Sequence, residues 1–137
     1  MRTIRQSRFL AAALATDATT SAVIALVQLA AVAALAAATD LPHALIAGTG
    51  AFCAVYALLL AGMVRAPTLP TWLVAFVGFG NLGWAASAVA LSVSGIVAAN
   101  AAGHALLALH AVGTVVFGVW QLVGLARSRA AGALSPA

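Results

Sequence analysis

Apolar positions along the chain fall into four long runs, and most of the strongly polar positions fall between them. The runs cover about residues 9–38, 44–64, 71–94 and 101–126. A helix needs about 20 apolar residues to cross the roughly 30 Å hydrocarbon core of a bilayer, so each run is long enough. The breaks carry start and stop signals. "TDLPH" offers Asp40 as a cap for the second helix and Pro42 for its first turn. "RAPTLPT" sets two prolines between the second and third runs. "SGIVAANAAG" is a short link with Asn100 as the candidate cap of the fourth helix. Links this short imply antiparallel neighbours. The pattern predicts an all-α transmembrane up-down four-helix bundle forming one domain over residues 1–137. The first run is about ten residues longer than a crossing needs, which predicts a tilted helix or a basic interfacial turn ahead of the bilayer. It also far exceeds the roughly 7–15 apolar residues of a signal-peptide core, so it reads as a retained span.

The few polar side chains inside the runs carry position as well as chemistry. Asp17 and Gln28 in the first run are eleven residues apart, as are His110 and Gln121 in the fourth. Eleven residues make about three helical turns, so each pair shares one face of its helix. Between antiparallel neighbours, one register sets Asp17 against Gln121 and Gln28 against His110 together. A second register, across the second and third spans, sets Tyr56 against Asn81 and Cys53 against Trp84, and brings Thr49 towards Ser87. Polar groups facing acyl chains find no partner, and a charge in the hydrocarbon costs several kcal/mol, so these side chains are expected to turn inward. The expected interior has an inner layer of Asp17 and Gln121 and a middle layer of Gln28, His110, Tyr56 and Asn81. Counted from Asp40 at 1.5 Å per residue, Asp17 lies about 34 Å in, at the inner mouth of the bundle. There it is expected within reach of Arg8 or water, bonded to Gln121 and sharing hydrogen bonds with Ser21. Thr19 and Thr20 are expected to bond back to carbonyls of their own helix.

Composition turns this pattern into a membrane assignment. Of the residues, 65% are hydrophobic and 6% charged, with mean hydropathy +1.15. A soluble domain carries roughly 25% charged residues, so no water-facing surface can be built here. The net charge of +4 comes from six arginines without any lysine. Arg2, Arg5 and Arg8 precede the first run, Arg65 lies between the second and third, and Arg127 and Arg129 follow the fourth. All six fall on one side of the bundle, and the positive-inside rule makes that side, with both termini, cytoplasmic. So few dispersed charges exclude a nucleic-acid face. Cys53 is the single cysteine and lies in an apolar run, which leaves no disulfide framework and no CxxC motif. No nucleophile with a base, metal cluster or phosphate loop appears, so an enzyme is not expected. His43 and His104 sit at similar depth near the outer ends of the second and fourth spans, where a pair of histidines on two helices could hold a haem iron. His110 is deeper and suits a ligand or proton-relay role. Gly80, one turn before Trp84, is expected to make room for the indole, and Gly113 and Gly118 to serve packing in the fourth span.

Three segments carry a resemblance. They are "TDATTSA" with Asp17, "NLGWAAS" with Asn81 and Trp84, and "VWQLVGLAR" with Gln121, Gly124 and Arg127. Together they resemble a group of small, uncharacterised four-span bacterial integral membrane proteins. In that group the first span carries an Asp followed by small residues, Asn-x-x-Trp lies in the third, and Gln stands near the end of the fourth. The group often has a Glu two residues before the Gln, where this chain has Val119. The resemblance implies a multi-pass protein of the bacterial inner membrane. Small multidrug-resistance exporters are similar in size and topology only. The candidate ligand-binding residues are Asp17, Gln28, Tyr56, Asn81, Trp84, His110 and Gln121. The expected function is binding of a small amphipathic ligand or lipid between the helices. A proton-coupled carrier using Asp17 and a haem-binding electron carrier using His43 and His104 are the alternatives. The uncharged outer faces leave room for a homodimer.

Overall fold

The computed structural model describes residues 2–133. The chain runs β1 (Thr3–Arg5), α1 (Arg8–Ala30), α2 (Val32–Thr39), α3 (His43–Arg65), β2 (Thr68–Pro70), α4 (Thr71–Val93) and α5 (Ala101–Ala133). Four of the helices, α1, α3, α4 and α5, are long and apolar enough to cross a membrane. The backbone is helical almost throughout, as the apolar runs predict, apart from one pair of three-residue strands.

The extra length of the first run is divided off by a break in the helix. The helix breaks at Ala31, whose φ of −126° and ψ of 29° leave the α region, and the chain resumes as the eight-residue α2. α1 alone has 23 residues, about 34 Å of helix, which suffices for the crossing. Asp40 does not cap α3. It ends α2 in the left-handed conformation at φ 55°, donating its backbone N–H to Ala36 O. Asp is among the few residues that visit this region readily, because its short polar chain bonds locally. Pro42 is therefore the residue ahead of α3 rather than part of its first turn. Asn100 does cap α5: its Oδ1 accepts from Gly103 N at 3.0 Å, and its Nδ2 donates to Ala38 O at 3.0 Å. The start of α5 is thus tied to the end of α2. Gly103 packs on the Thr39 carbonyl so closely that a Cβ there would collide with it. α5 also runs on to Ala133, beyond the apolar run, because "ARSRAA" is rich in good helix formers.

The spans pack as two tight pairs, α1 on α3 and α4 on α5, joined along α1 and α5. α2 lies against α3 and α5. In the α4–α5 pair a Cβ on Gly118 would lie 2.8 Å from Gly78 O, so the two backbones touch at glycine. Gly118 thus packs as expected, whereas a Cβ on Gly80 or Gly113 would meet nothing within 4 Å. α3 and α4 follow each other in sequence but share no broad backbone interface.

The arginine-rich end is closed by a strap that the hydrophobic pattern does not reveal. β1 pairs antiparallel with β2, Ile4 facing Leu69. Gln6 Nε2 donates to Met63 O at 2.8 Å and Ala66 O at 2.6 Å, occupying carbonyls at the end of α3. Ser7 caps α1, accepting from Leu10 N at 3.2 Å, and its Oγ also accepts from Ser128 Oγ at 3.0 Å. Above the strap Ile4, Leu10, Leu60, Leu69, Val74 and Leu125 form part of one buried apolar cluster.

Candidate functional site

Two polar layers lie between the helices, both in the register expected between α1 and α5. In the first, Asp17 is 2% exposed and every span reaches it. Its Oδ2 accepts from Gln121 Nε2 (α5) at 2.7 Å, Asn81 Nδ2 (α4) at 2.9 Å and Tyr56 Oη (α3) at 3.0 Å. Its Oδ1 accepts from Ser21 Oγ, one turn along α1, at 3.2 Å. Asn81 Nδ2 also lies 2.9 Å from Tyr56 Oη and 3.0 Å from Gln121 Oε1. The two amide hydrogens of Asn81 are therefore shared among three acceptors, while the Tyr56 hydroxyl accepts one bond and passes its own hydrogen to the carboxylate. No arginine takes part. A carboxylate without a cation is held in the bundle by neutral donors alone, which is the arrangement a buried acid needs to offset desolvation.

Asp17 is not at an open mouth. It stands nine residues from Arg8, about 13 Å along α1. Leu10, Leu14, Leu60 and Val74, each 0% exposed, fill the space between it and the arginine end. The sequence count ran back from Asp40 through the Ala31 break and α2, and so placed the acid too near the surface. Arg8 is exposed and is not a partner of Asp17. Thr19 does bond back within its helix, Oγ1 donating to Ala15 O at 2.9 Å.

The second layer is looser. Gln28, 5% exposed, sits with its Nε2 3.4 Å from His110 Nε2, and its Oε1 accepts from Thr49 Oγ1 at 2.9 Å. His110 Nδ1 lies 3.0 Å from Leu106 O. A carbonyl only accepts, so Nδ1 carries a hydrogen towards Leu106 O, and Nε2 is the ring atom that faces Gln28. Thr49 and Ser87 border the same cavity, as the register expects, but their hydroxyls do not bond to each other. The Thr49 hydroxyl is turned to Gln28 and Ile46 O, and Ser87 Oγ donates to Gly83 O at 2.9 Å within α4.

Between the layers lies the seam of α3 and α4. A cavity of about 230 Å³ opens there, lined by Tyr56, Asn81 and Trp84 with His110 and Thr114 behind. A second of about 150 Å³ sits beside Gln28, Thr49, Ser87 and His110. Trp84 and His110 border both. Side chains alone close the seam: Phe52 stacks on Trp84 with centroids 4.6 Å apart and planes 12° from parallel, and on Tyr56 at 6.0 Å. Val55 and Phe76 at the rim are 69% and 65% exposed, on the apolar outer surface.

The structure thus brings Asp17, Tyr56, Asn81 and Gln121 together, sets Gln28 on His110, and leaves Trp84 between the layers. Tyr56 and Asn81 belong to the Asp17 layer rather than the His110 layer. Cys53 and Trp84 line the same cavity. His43 and His104 are exposed, no described cavity is bordered by both, and His104 Nδ1 lies 2.8 Å from Ser92 Oγ. Phe52 and Thr114 were not anticipated. Each is one turn from a residue that was, Tyr56 and His110, and helical spacing is the signal that would find them. The chain matches no protein-family model, and neither the curated proteins nor the solved structures compared with it give a match.

Proposed function

We propose that this chain is a small integral membrane protein that takes up part of an amphipathic molecule from the bilayer through the α3–α4 seam. The observation that carries this reading is the 230 Å³ cavity, which opens on the lipid-facing surface and ends on hydrogen-bonding groups of Asn81, Tyr56 and His110. Pockets for whole drug-sized ligands measure about 300–1,000 Å³. Each cavity here is smaller, which suits a single chain or a small head inserted from lipid rather than an enclosed solute. The polar lining is uncharged, apart from Asp17 behind it, so a hydroxyl or carbonyl head fits best. The arginines at one end support an orientation with both termini cytoplasmic, and the resemblance implies the bacterial inner membrane. The apolar outer surface, with Leu26 70% and Leu58 75% exposed, suits lipid contact and leaves room for a second copy. Nothing in this reading asks the site to do covalent chemistry.

Gly80 supplies the test. It borders the cavity, and a Cβ there meets nothing within 4 Å, so Gly80→Leu adds bulk at the cavity from an unhindered Cβ position. Binding of hexadecanol to the purified protein, followed by native mass spectrometry, is expected to fall at least about tenfold, with the thermal midpoint little changed. Undiminished binding in the variant rejects the site.

The buried carboxylate beside the cavity favours one second reading, a proton-coupled carrier using Asp17. Proton-driven flux in liposomes that disappears in Asp17→Asn would establish it, and unchanged flux would exclude Asp17 as the coupling group. A haem carrier using His43 and His104 requires a haem absorbance band in the purified protein, and a colourless preparation removes it.

A further inference from the structure

The arginine-rich end holds a cleft that the lipid-facing site does not use. It measures about 890 Å³ and is bordered by Arg2 and Arg5 of the strap, Arg129 of α5, and the hydroxyl residues Ser7, Thr68 and Thr71. None of its lining residues is acidic. The two side-chain carboxylates of the whole chain are accounted for elsewhere: Asp17 is buried among its four donors, and Asp40 ends α2 at the opposite end of the bundle. The other arginines are differently placed. Arg127 lies over the Phe9 ring at 4.2 Å, and Arg65 Nη1 donates to Ala61 O at 3.5 Å. Among the described residues no side-chain bond is made by Arg2, Arg5 or Arg129, so three arginines border one cleft with no acidic side chain among its described lining residues.

The backbone adds to this field. α1 starts at Arg8 and α4 at Thr71, both beside the cleft, so the positive ends of two helix dipoles point at it. α4 carries no side-chain cap, so although Thr71 N is taken by a carbonyl of the strap, the amide hydrogens of Trp72 and Leu73 remain without a capping acceptor. The strap holds the geometry: Thr71 N donates to Arg2 O at 3.1 Å, fixing Arg2 beside the start of α4, while β1 and β2 hold Arg5 beside Thr68. Guanidinium forks, hydroxyls and free amide hydrogens together are the donor set that suits a phosphate group.

We propose that this cleft binds a phosphate-bearing anion, either the headgroup of an anionic phospholipid or a free phosphate compound. It sits where headgroups lie if α1 and α4 begin at the membrane surface, and basic pockets at that level bind anionic headgroups. The site is independent of the α3–α4 cavity, and either can fail without the other.

The full-length protein, delipidated and placed in neutral detergent, is titrated with phosphatidylglycerol and with phosphatidylcholine and read by native mass spectrometry. The expected result is at least about tenfold preference for phosphatidylglycerol, weakened by salt. In R2Q/R5Q/R129Q the preference is expected to vanish. The control R8Q/R65Q/R127Q removes the same charge outside the cleft and is expected to keep it. Equal loss in both variants, or no preference in the parent, overturns the proposal. Circular dichroism of each variant shows whether the bundle remains folded, and Arg→Lys replacement in the cleft is expected to restore part of the preference through charge alone. Millimolar inorganic phosphate then separates the sources. Competition with the lipid assigns the site to the phosphate group as such, and persistence of the lipid assigns it to the intact headgroup.

Discussion

The two polar layers come from one helical register yet are built to different standards. At Asp17 four donors from four spans converge within 3.2 Å on a residue 2% exposed. At His110, about three turns away, the contact to Gln28 is 3.4 Å, the ring is half-buried, and cavities open on both sides of Trp84. Packing explains the contrast. The first layer lies just above an apolar plug where all four spans converge on one carboxylate, whereas the second adjoins the seam where α3 and α4 share no broad interface. A polar group that is fully paired fixes a structure, and one that is loosely paired can exchange its partner for a ligand. The first layer is therefore a lock whose Tyr56 and Asn81 also wall the larger cavity, and the second layer is the part of the site free to exchange partners.

The largest test of this contrast is Asp17→Ala. It leaves donors from Tyr56, Asn81 and Gln121 facing an empty position. Leaving a buried donor without its acceptor costs about 1–3 kcal/mol in soluble proteins. A loss of about 2–4 kcal/mol is expected in reversible unfolding by sodium dodecyl sulfate, even though interhelical hydrogen bonds in membranes average only about 0.6 kcal/mol each. A loss below about 1 kcal/mol would mean that the layer is not a lock. Asp17→Asn keeps the shape and part of the accepting capacity and is expected to lie between the variant and the parent.

This lock was legible in the sequence because polar residues are rare in the spans. Each one states a depth and an angle, and Asp17, Gln28, His110 and Gln121 satisfy one register together. Tyr56 and Asn81 were paired correctly with each other, but their joint approach to Asp17 depended on how far α3 and α4 lean in, which no single helix states. The break at Ala31 lies in a run of alanine and valine with no glycine or proline to announce it. The Asp40 end of α2 was hidden by an equally good local alternative, since Asp two residues before Pro reads as an N-cap. The strap pairs residues about 65 positions apart over three residues each, too short to show a strand period. The α3–α4 opening is the least legible feature, because it is a contact that neighbours in sequence do not make.

A medium effect is expected at Gln28→Leu. It removes the bond from Thr49 and the long contact to His110, and it leaves fewer buried donors without an acceptor than Asp17→Ala does. About 0.6–1 kcal/mol of stability should be lost. Because Gln28 borders the smaller cavity, hexadecanol binding should change by more than that stability difference accounts for. A stability loss as large as that of Asp17→Ala would make the two layers equivalent and end the distinction between lock and site.

The smallest effect separates a real contact from an apparent one. Thr49 and Ser87 face the same cavity from α3 and α4, and the helical register alone would couple them. The structure instead spends the Ser87 hydroxyl on Gly83 O in its own helix and the Thr49 hydroxyl on Gln28 and Ile46 O. Ser87→Ala should therefore shift stability by less than about 0.5 kcal/mol, since a hydroxyl bonding back to its own helix contributes little. Thr49→Val should cost somewhat more, about 0.6 kcal/mol, through its bond to Gln28. In the double variant the two effects should add, because residues without a shared partner show coupling no larger than about 0.3–0.5 kcal/mol. A larger coupling would mean that α3 and α4 close on each other in the membrane. The seam would then be shut, and the second layer would be a lock like the first.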